Sequence, residues 1–151
     1  MNEKFRECVI MLVEDNEAHA ELTANALEQA NVGNQIIIMG NGSEALDYLK
    51  GKGKWEGRRD RPMPNLILMD IKMPVIDGKQ ALAAIKNDDR LRQIPVIMLT
   101  SSALDADIKD CYAIGANSYI VKPVSFGKFV ETVKGIPIYW FMLNKMPSEV
   151  N

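Results

Sequence analysis

Histidine and cysteine are scarce in this chain of 151 residues, which holds one histidine, His19, and two cysteines, Cys8 and Cys111. A single histidine excludes a metal site built from several imidazoles. The two cysteines have no C-x-x-C spacing and lie in apolar surroundings, so we expect buried free thiols rather than a disulfide. Soft metals therefore lack the ligands that they prefer.

Long apolar runs and a strong excess of one charge are also absent. The first apolar run, Cys8–Val13, is too short for a signal peptide and is followed by Glu14 and Asp15. No run approaches the roughly 20 apolar residues that a membrane span needs. The net charge of -2 is too small to indicate nucleic acid or a membrane surface as a partner. We therefore expect a cytoplasmic protein that binds neither.

The composition is that of a folded domain. Apolar residues make up 47% of the chain, enough to form a core, and charged residues make up 25%. The length suits one domain. We expect residues 1–135 to form it and residues 136–151, which are rich in apolar and aromatic side chains, to be a C-terminal extension of the same domain.

Short apolar runs alternate with segments of helical spacing. The runs predicted to be strands are Cys8–Val13, Ile36–Met39, Leu66–Met69, Val96–Leu99 and Tyr119–Val121. The segments predicted to be helices are Glu17–Ala30, Ser43–Lys50, Lys79–Asn87, Asp105–Ile114 and Ser125–Lys134. Continuous apolar runs suit strands that are buried on both faces. The alternation predicts an α/β fold, a doubly wound parallel sheet with helices on both faces, which binds ligands beyond the carboxyl ends of its strands.

Polar residues stand just past the carboxyl ends of these predicted strands. They are Glu14, Asp15, Asp70, Thr100 and Lys122. Two carboxylates about 4 Å apart repel by roughly 4 kcal/mol at an effective dielectric constant near 20, so a cluster of three is expected either to take up a proton or to bind a cation. An all-oxygen site with open positions suits Mg²⁺. A carboxylate beside Mg²⁺, a lysine and a hydroxyl can accept a phosphoryl group as an acyl phosphate. Each residue alone has an ordinary structural explanation, and only their joint pattern predicts this chemistry.

Four segments resemble the signature motifs of two-component receiver domains. They are "VIMLVEDNEAHAEL", "LILMDIKMPVIDG", "VIMLTSSA" and "SYIVKPV", and the resemblance covers roughly residues 8–134. It implies a flavodoxin-like fold with five parallel strands in the order 2-1-3-4-5. It also implies a stand-alone response regulator that receives a phosphoryl group from a sensor histidine kinase, with Mg²⁺ as cofactor, and then binds an unknown downstream protein. Phosphorylation and hydrolysis would be self-catalysed, so we expect no separate enzyme activity.

The resemblance implies a role for each matching residue. Asp70 matches the phosphorylated aspartate, Asp15 the direct Mg²⁺ ligand and Glu14 its acidic neighbour. Lys72 matches the position whose backbone carbonyl binds the metal. Residues that match the phosphoryl-contacting hydroxyl, the phosphoryl-contacting lysine and the aromatic switch residue are Thr100, Lys122 and Tyr119. Residues that match structural positions near the site are Pro74, Gly78 and Pro123, with a cis peptide bond before Pro123 in the family. The output would be a change in the face formed by helix 4, strand 5 and helix 5.

Two segments go beyond the receiver motifs. The polar, basic loop Gly51–Met63 is expected to be mainly a solvated insertion, with partner docking through Trp55 as the alternative. The aromatic tail contains Tyr139, Trp140 and Phe141, which are expected to form a homodimer contact or to fold back on their own core. Loop and tail together resemble the stand-alone receivers associated with phytochrome-type histidine kinases.

Three other functions stay open at this point. An aspartyl-phosphate phosphatase uses similar groups, but that class begins its site with Asp-x-Asp after the first strand, where this chain has Glu14-Asp15. A receiver-like module that binds partners without phosphorylation would not need so complete a set of site residues. A flavin-binding protein would need to place a phosphate at Glu14-Asp15-Asn16, where two carboxylates repel it.

Overall fold

The computed structural model describes residues 9–29 and 35–122, together with Lys128 and Glu131. The strands are β1 Val9–Val13, β2 Gln35–Met39, β3 Leu66–Met69, β4 Val96–Thr100 and β5 Ser118–Val121. The helices are α1 Glu17–Gln29, α2 Gly42–Lys50, α3 Gly78–Lys86 and α4 Asp105–Ile114. Each predicted element in this part of the chain is confirmed, with its ends within one residue of those expected. The predicted helix Ser125–Lys134 lies outside the described residues, apart from Lys128 and Glu131, which are helical.

The five strands form one parallel sheet in the order β2-β1-β3-β4-β5, which confirms the flavodoxin-like topology. Their last residues are in register: Val13 is opposite Met39 on one side and Met69 on the other. Thr100 at the end of β4 is opposite Val121 on β5. The residues that follow β1, β3, β4 and β5 therefore meet at one edge of the sheet, where doubly wound folds bind their ligands.

The apolar residues of the central strands divide between two cores, one on each face of the sheet. On β1, Met11 and Val13 belong to the core beneath α2, α3 and α4, whereas Ile10 and Leu12 face the core beneath α1. Side chains alternate between the faces of a strand, so a continuous apolar run fills both cores. Every residue of β1, β3 and β4 is buried, which gives the edge of the sheet a rigid support.

The helices differ in how firmly their first turns are held. The Asn41 side chain caps α2 by accepting a hydrogen bond from the Glu44 N–H at 2.7 Å. Asp77 and Gln80 form a reciprocal capping box at the start of α3. Helix α4 begins after Leu104, which provides no side-chain cap, and Cys111 is its one buried residue. Cys111 is a buried free thiol, as predicted, whereas Cys8 lies outside the described residues.

The loop Gly51–Met63 folds back on α2. A short 3-10 turn, Gly53–Trp55, brings the Trp55 ring edge-on to the Tyr48 ring at a centroid distance of 4.8 Å. The Tyr48 hydroxyl donates to the Pro62 carbonyl at 2.8 Å, and Arg58 lies over the Trp55 ring. Most residues of the loop are exposed, yet Trp55 makes internal contacts. None of the helices in the described part of the chain is long and apolar enough to cross a membrane.

Candidate functional site

Three carboxylates converge at the carboxyl edge of the sheet. Glu14 and Asp15 follow β1, and Asp70 follows β3, the neighbouring strand. Each offers an oxygen atom within 4.8 Å of the other two. Glu14 and Asp70 are buried and Asp15 is exposed, so the cluster opens to solvent on one side. The structure thus brings together the acidic residues singled out in the sequence.

Lys122 supplies the positive charge closest to this cluster. It follows β5, and its backbone N–H donates to the Thr100 carbonyl at 2.8 Å. Its Nζ donates to Glu14 Oε1 at 2.5 Å and lies 3.6 Å from Asp70 Oδ2. Burial raises the pKa of the Glu14 carboxyl, and the Lys122 ammonium opposes that rise. The lysine therefore acts as an internal counter-ion for two buried carboxylates.

The two oxygens of Asp70 have different surroundings. Oδ1 accepts a hydrogen bond from the Ile71 N–H at 2.7 Å, and Oδ2 faces Lys122. The backbone behind Asp70 is covered by Gly78, whose N–H donates to the Ile71 carbonyl at 2.7 Å. A Cβ atom at Gly78 would lie only 2.0 Å from the Asp70 carbonyl oxygen. Glycine is thus required there by the close approach of two backbone segments.

Thr100 and Tyr119 lie on the neighbouring strands β4 and β5. Thr100 is buried, and its Oγ1 accepts a long hydrogen bond, 3.5 Å, from the Ser102 N–H. The Tyr119 hydroxyl donates to the Ser102 carbonyl at 2.8 Å. The hydroxyl and the aromatic residue predicted to work together therefore both contact Ser102.

The remaining predicted residues lie at the rim or beyond. Lys72 and Pro74 are exposed in the loop after Asp70, where Val75 has a positive φ of 72°. This conformation is rare for a β-branched residue and marks a strained point of the loop. Pro123, its predicted cis bond and the dimer residues Tyr139, Trp140 and Phe141 lie outside the described residues.

Sequence reasoning missed several contacts of the site. His19 Nδ1 lies 3.4 Å from Lys122 Nζ. From the sequence, His19 was used only as the single histidine that excludes a metal site with several imidazoles, and its place beside Lys122 was not predicted. The signal was its position in the first turn of α1, four residues after Asp15. A polar group next to Ser102, made by Lys79 and Asp107, was also missed. Its signal was the spacing of Asp107 and Asp110, which places two carboxylates on one face of α4.

The donor set of the acidic cluster fits a hard divalent cation. All candidate ligands are carboxylate oxygens, and one of the three residues is open to solvent. Such cations prefer oxygen ligands and keep several waters. The described residues hold no thiolate or multiple imidazoles here that would favour a soft metal.

Comparison with known proteins places almost the whole chain in one family. The family described as "response regulator receiver domain" matches residues 10–134. The probable methanogenesis regulatory protein FilR2 of Methanothrix harundinacea is 40% identical over 143 residues, which cover 93% of this chain and 88% of FilR2.

Solved structures agree with this result. The phosphorylated cyanobacterial phytochrome response regulator RcpA is 35% identical, with a TM-score of 0.85 over 93% of this chain and 99% of RcpA. The Mn²⁺-bound form of response regulator Rcp1 is 34% identical, with a TM-score of 0.83 and the same coverage of both chains. A divalent cation site is a property of receiver domains, and the acidic cluster of this chain fits it. The chain therefore belongs to the response regulator receiver domain family and acts as a receiver in two-component signalling.

Proposed function

We propose that Asp70 accepts a phosphoryl group from the phosphohistidine of a sensor histidine kinase, with Mg²⁺ at the acidic cluster. The observation that carries this proposal is the convergence of Glu14, Asp15 and Asp70 within 4.8 Å, with Lys122 Nζ 3.6 Å from Asp70 Oδ2. Receiver domains act as signalling switches rather than as enzymes with a separate substrate, so the proposed catalysis is confined to phosphorylation of Asp70 and hydrolysis of the resulting acyl phosphate.

The proposed reaction begins at Asp70 Oδ2. The Ile71 N–H engages Oδ1, so Oδ2 is the oxygen left to attack phosphorus. The new O–P bond forms as the N–P bond of the phosphohistidine breaks, and the imidazole leaves with that electron pair. Hydrolysis of the acyl phosphate later returns Asp70 to its carboxylate form. In-line positioning and neutralisation of the phosphoryl oxygens are what such a transfer needs.

Different groups around Asp70 are proposed to neutralise the negative charge of the carboxylates and of the phosphoryl oxygens. Asp15, Asp70 and the Lys72 carbonyl are the proposed ligands of Mg²⁺, with Glu14 as an acidic neighbour. When bound, Mg²⁺ supplies positive charge to the carboxylates and to a phosphoryl oxygen. Lys122 is proposed to leave Glu14 and neutralise another oxygen, a short movement because its Nζ already lies close to Asp70 Oδ2. The Thr100 hydroxyl is proposed to donate to a third oxygen.

The proposed output is conformational. Movement of Thr100 toward the phosphoryl group would withdraw the acceptor of the Ser102 N–H, and Tyr119 would follow through its bond to the Ser102 carbonyl. The change would reach the face formed by α4 and β5. RcpA is a phytochrome response regulator, which supports a phytochrome-type kinase as the partner of this chain. The homodimer contact through Tyr139, Trp140 and Phe141 stays a prediction.

The test is the intact-protein mass after incubation with Mg²⁺ and acetyl phosphate. We expect a gain of one phosphoryl group that is absent without Mg²⁺ and absent in Asp70→Asn. The matched control is Asp47→Asn, because Asp47 lies on α2 away from the acidic cluster. No gain in the wild-type protein, together with no binding of beryllofluoride, would refute the proposal and favour a binding module that is not phosphorylated. Turnover of small phosphomonoesters would instead favour a phosphatase.

A further inference from the structure

A polar network joins the first turn of α3 to the first two turns of α4. Lys79 Nζ lies 2.7 Å from Asp107 Oδ1 and 2.9 Å from Asp110 Oδ2. The other carboxylate oxygen of Asp107 accepts a hydrogen bond from Ser102 Oγ at 2.5 Å. We call Ser102, Asp107, Lys79 and Asp110 the polar latch. It joins the loop after β4 to two helices.

The polar latch holds the first half of α4, because the apolar contacts of the helix, through Cys111 and the half-buried Ile114, lie in its second half. Cys111 is its one buried residue, and Leu104 provides no side-chain cap. Instead, the Leu104 N–H donates to Ser102 Oγ at 3.4 Å. The serine hydroxyl therefore accepts a hydrogen bond from the residue before the helix and also donates one to Asp107. The two carboxylates raise the pKa of Lys79, and Lys79 and Ser102 lower the pKa of Asp107. Both groups are therefore charged at neutral pH.

The latch touches the proposed switch at Ser102. This residue donates its backbone N–H to Thr100 Oγ1 and accepts the Tyr119 hydroxyl at its carbonyl. Lys72, in the loop after Asp70, adds its positive charge near Asp107 and also lowers the pKa of that carboxyl. The same few residues thus contact the loop after β4 and the switch aromatic, and they lie within electrostatic range of Lys72 in the phosphoacceptor loop.

We propose that the polar latch holds α4 and the loop after β4 in the unphosphorylated arrangement and weakens when Thr100 turns toward a phosphoryl group. This inference rests on the proposed function of Asp70 and adds its regulation. Movement of Thr100 removes the acceptor of the Ser102 N–H, and a shift of Ser102 by more than about 1 Å would stretch the Ser102–Asp107 hydrogen bond beyond hydrogen-bonding distance. A contact present in only one of two states opposes the transition to the other, so the latch lowers the affinity of the site for a phosphoryl group.

The experiment measures beryllofluoride affinity in the presence of Mg²⁺ on the full chain. Beryllofluoride stands in for the phosphoryl group on Asp70. Asp107→Ala, which removes both latch contacts of the carboxylate, is expected to bind about fivefold more tightly than the wild type. Lys79→Met, which keeps the Ser102 contact, is expected to show a smaller gain. Lys54→Met is the control, because it removes an exposed ion pair with Glu44 that is not connected to the switch.

A second measurement, amide hydrogen exchange, distinguishes a local loss of the latch contacts from a general folding defect. Amide hydrogen exchange of α4 and the loop after β4 should be faster in free Asp107→Ala than in the free wild type, while exchange in β1 and β3 stays the same. Equal or weaker beryllofluoride binding by Asp107→Ala would overturn the latch. A wild-type protein that binds no beryllofluoride would refute the proposed function itself, and the latch with it.

Discussion

Replacement of Lys122 by methionine removes the positive charge that the buried carboxylates share. Lys122 Nζ lies 2.5 Å from Glu14 Oε1, and the two side chains are only 9% and 2% exposed. Loss of one partner of a buried ion pair costs about 3 to 5 kcal/mol, because the other charge stays buried without compensation. The pKa of Glu14 is already raised by burial, and it rises further without the ammonium, so partial protonation reduces the cost. We therefore expect Lys122→Met to lower the free energy of unfolding by about 3 kcal/mol at neutral pH without divalent cations.

Mg²⁺ should reduce this difference. A ligand that binds only the folded protein adds about 2.7 kcal/mol of stability at a concentration of 100 Kd. The variant should bind Mg²⁺ more tightly than the wild type, because Lys122 no longer competes for Glu14. The assay is urea unfolding of both proteins in EDTA and in excess Mg²⁺. Lys54→Met, which removes a lysine that is 65% exposed, should change stability by about 0.5 kcal/mol or less in both buffers. The counter-ion role would be refuted if Lys122→Met lost less than about 1 kcal/mol of unfolding free energy in EDTA. It would also be refuted if the stability difference between the variant and the wild type were the same with and without Mg²⁺.

Two further variants test contacts that stabilise the fold, one behind Asp70 and one at the opposite, amino edge of the sheet. Gly78→Ala forces a Cβ atom to within 2.0 Å of the Asp70 carbonyl oxygen, so we expect a loss of stability above about 3 kcal/mol and weaker Mg²⁺ binding, measured by urea unfolding and Mg²⁺ titration. Gly40→Ala is the control, since nothing lies within 4 Å of a Cβ there, and equal Mg²⁺ affinity in the two variants would contradict the argument. Lys86→Met removes an ammonium that donates to three oxygen atoms, and thermal unfolding should show a loss of about 1 to 3 kcal/mol. The exposed Lys109→Met is its control, and similar Tm values for the two lysine variants would show that these bonds contribute little.

The strands and the acidic cluster could be predicted from the sequence because both follow from short-range patterns. Leu66–Met69 is apolar at every position, which is typical of a strand buried on both faces. Once the strands were assigned, the parallel sheet brought Glu14, Asp15 and Asp70 to one edge without any further information. The acidic cluster could therefore be predicted from the positions at which the strands end, without knowledge of any side-chain conformation.

The contacts between side chains could not be predicted in this way. Lys122 and Glu14 are 108 positions apart in the sequence. Their pairing depends on the conformations that the two side chains adopt in the space between the ends of β1 and β5. The latch contact of Lys79 with Asp107 likewise depends on the relative placement of α3 and α4. The sequence left Trp55 either in a solvated loop or at a partner contact, and only the folded loop shows its ring against Tyr48. These are choices among rotamers and packing arrangements that periodicity does not encode.

The charges of the site connect its resting stability to its proposed chemistry. In the structure, Lys122 stabilises Glu14 and Asp70. The same ammonium is the group proposed to neutralise a phosphoryl oxygen, so it cannot keep its full ion pair with Glu14 at the same time. A cation near Glu14 and Asp15 would replace the charge that Lys122 withdraws, which gives a physical reason why metal binding and phosphorylation should be coupled. A lysine that stabilises the carboxylates in the absence of metal therefore weakens metal binding there, and the Lys122→Met comparison in EDTA and Mg²⁺ measures both effects in one experiment.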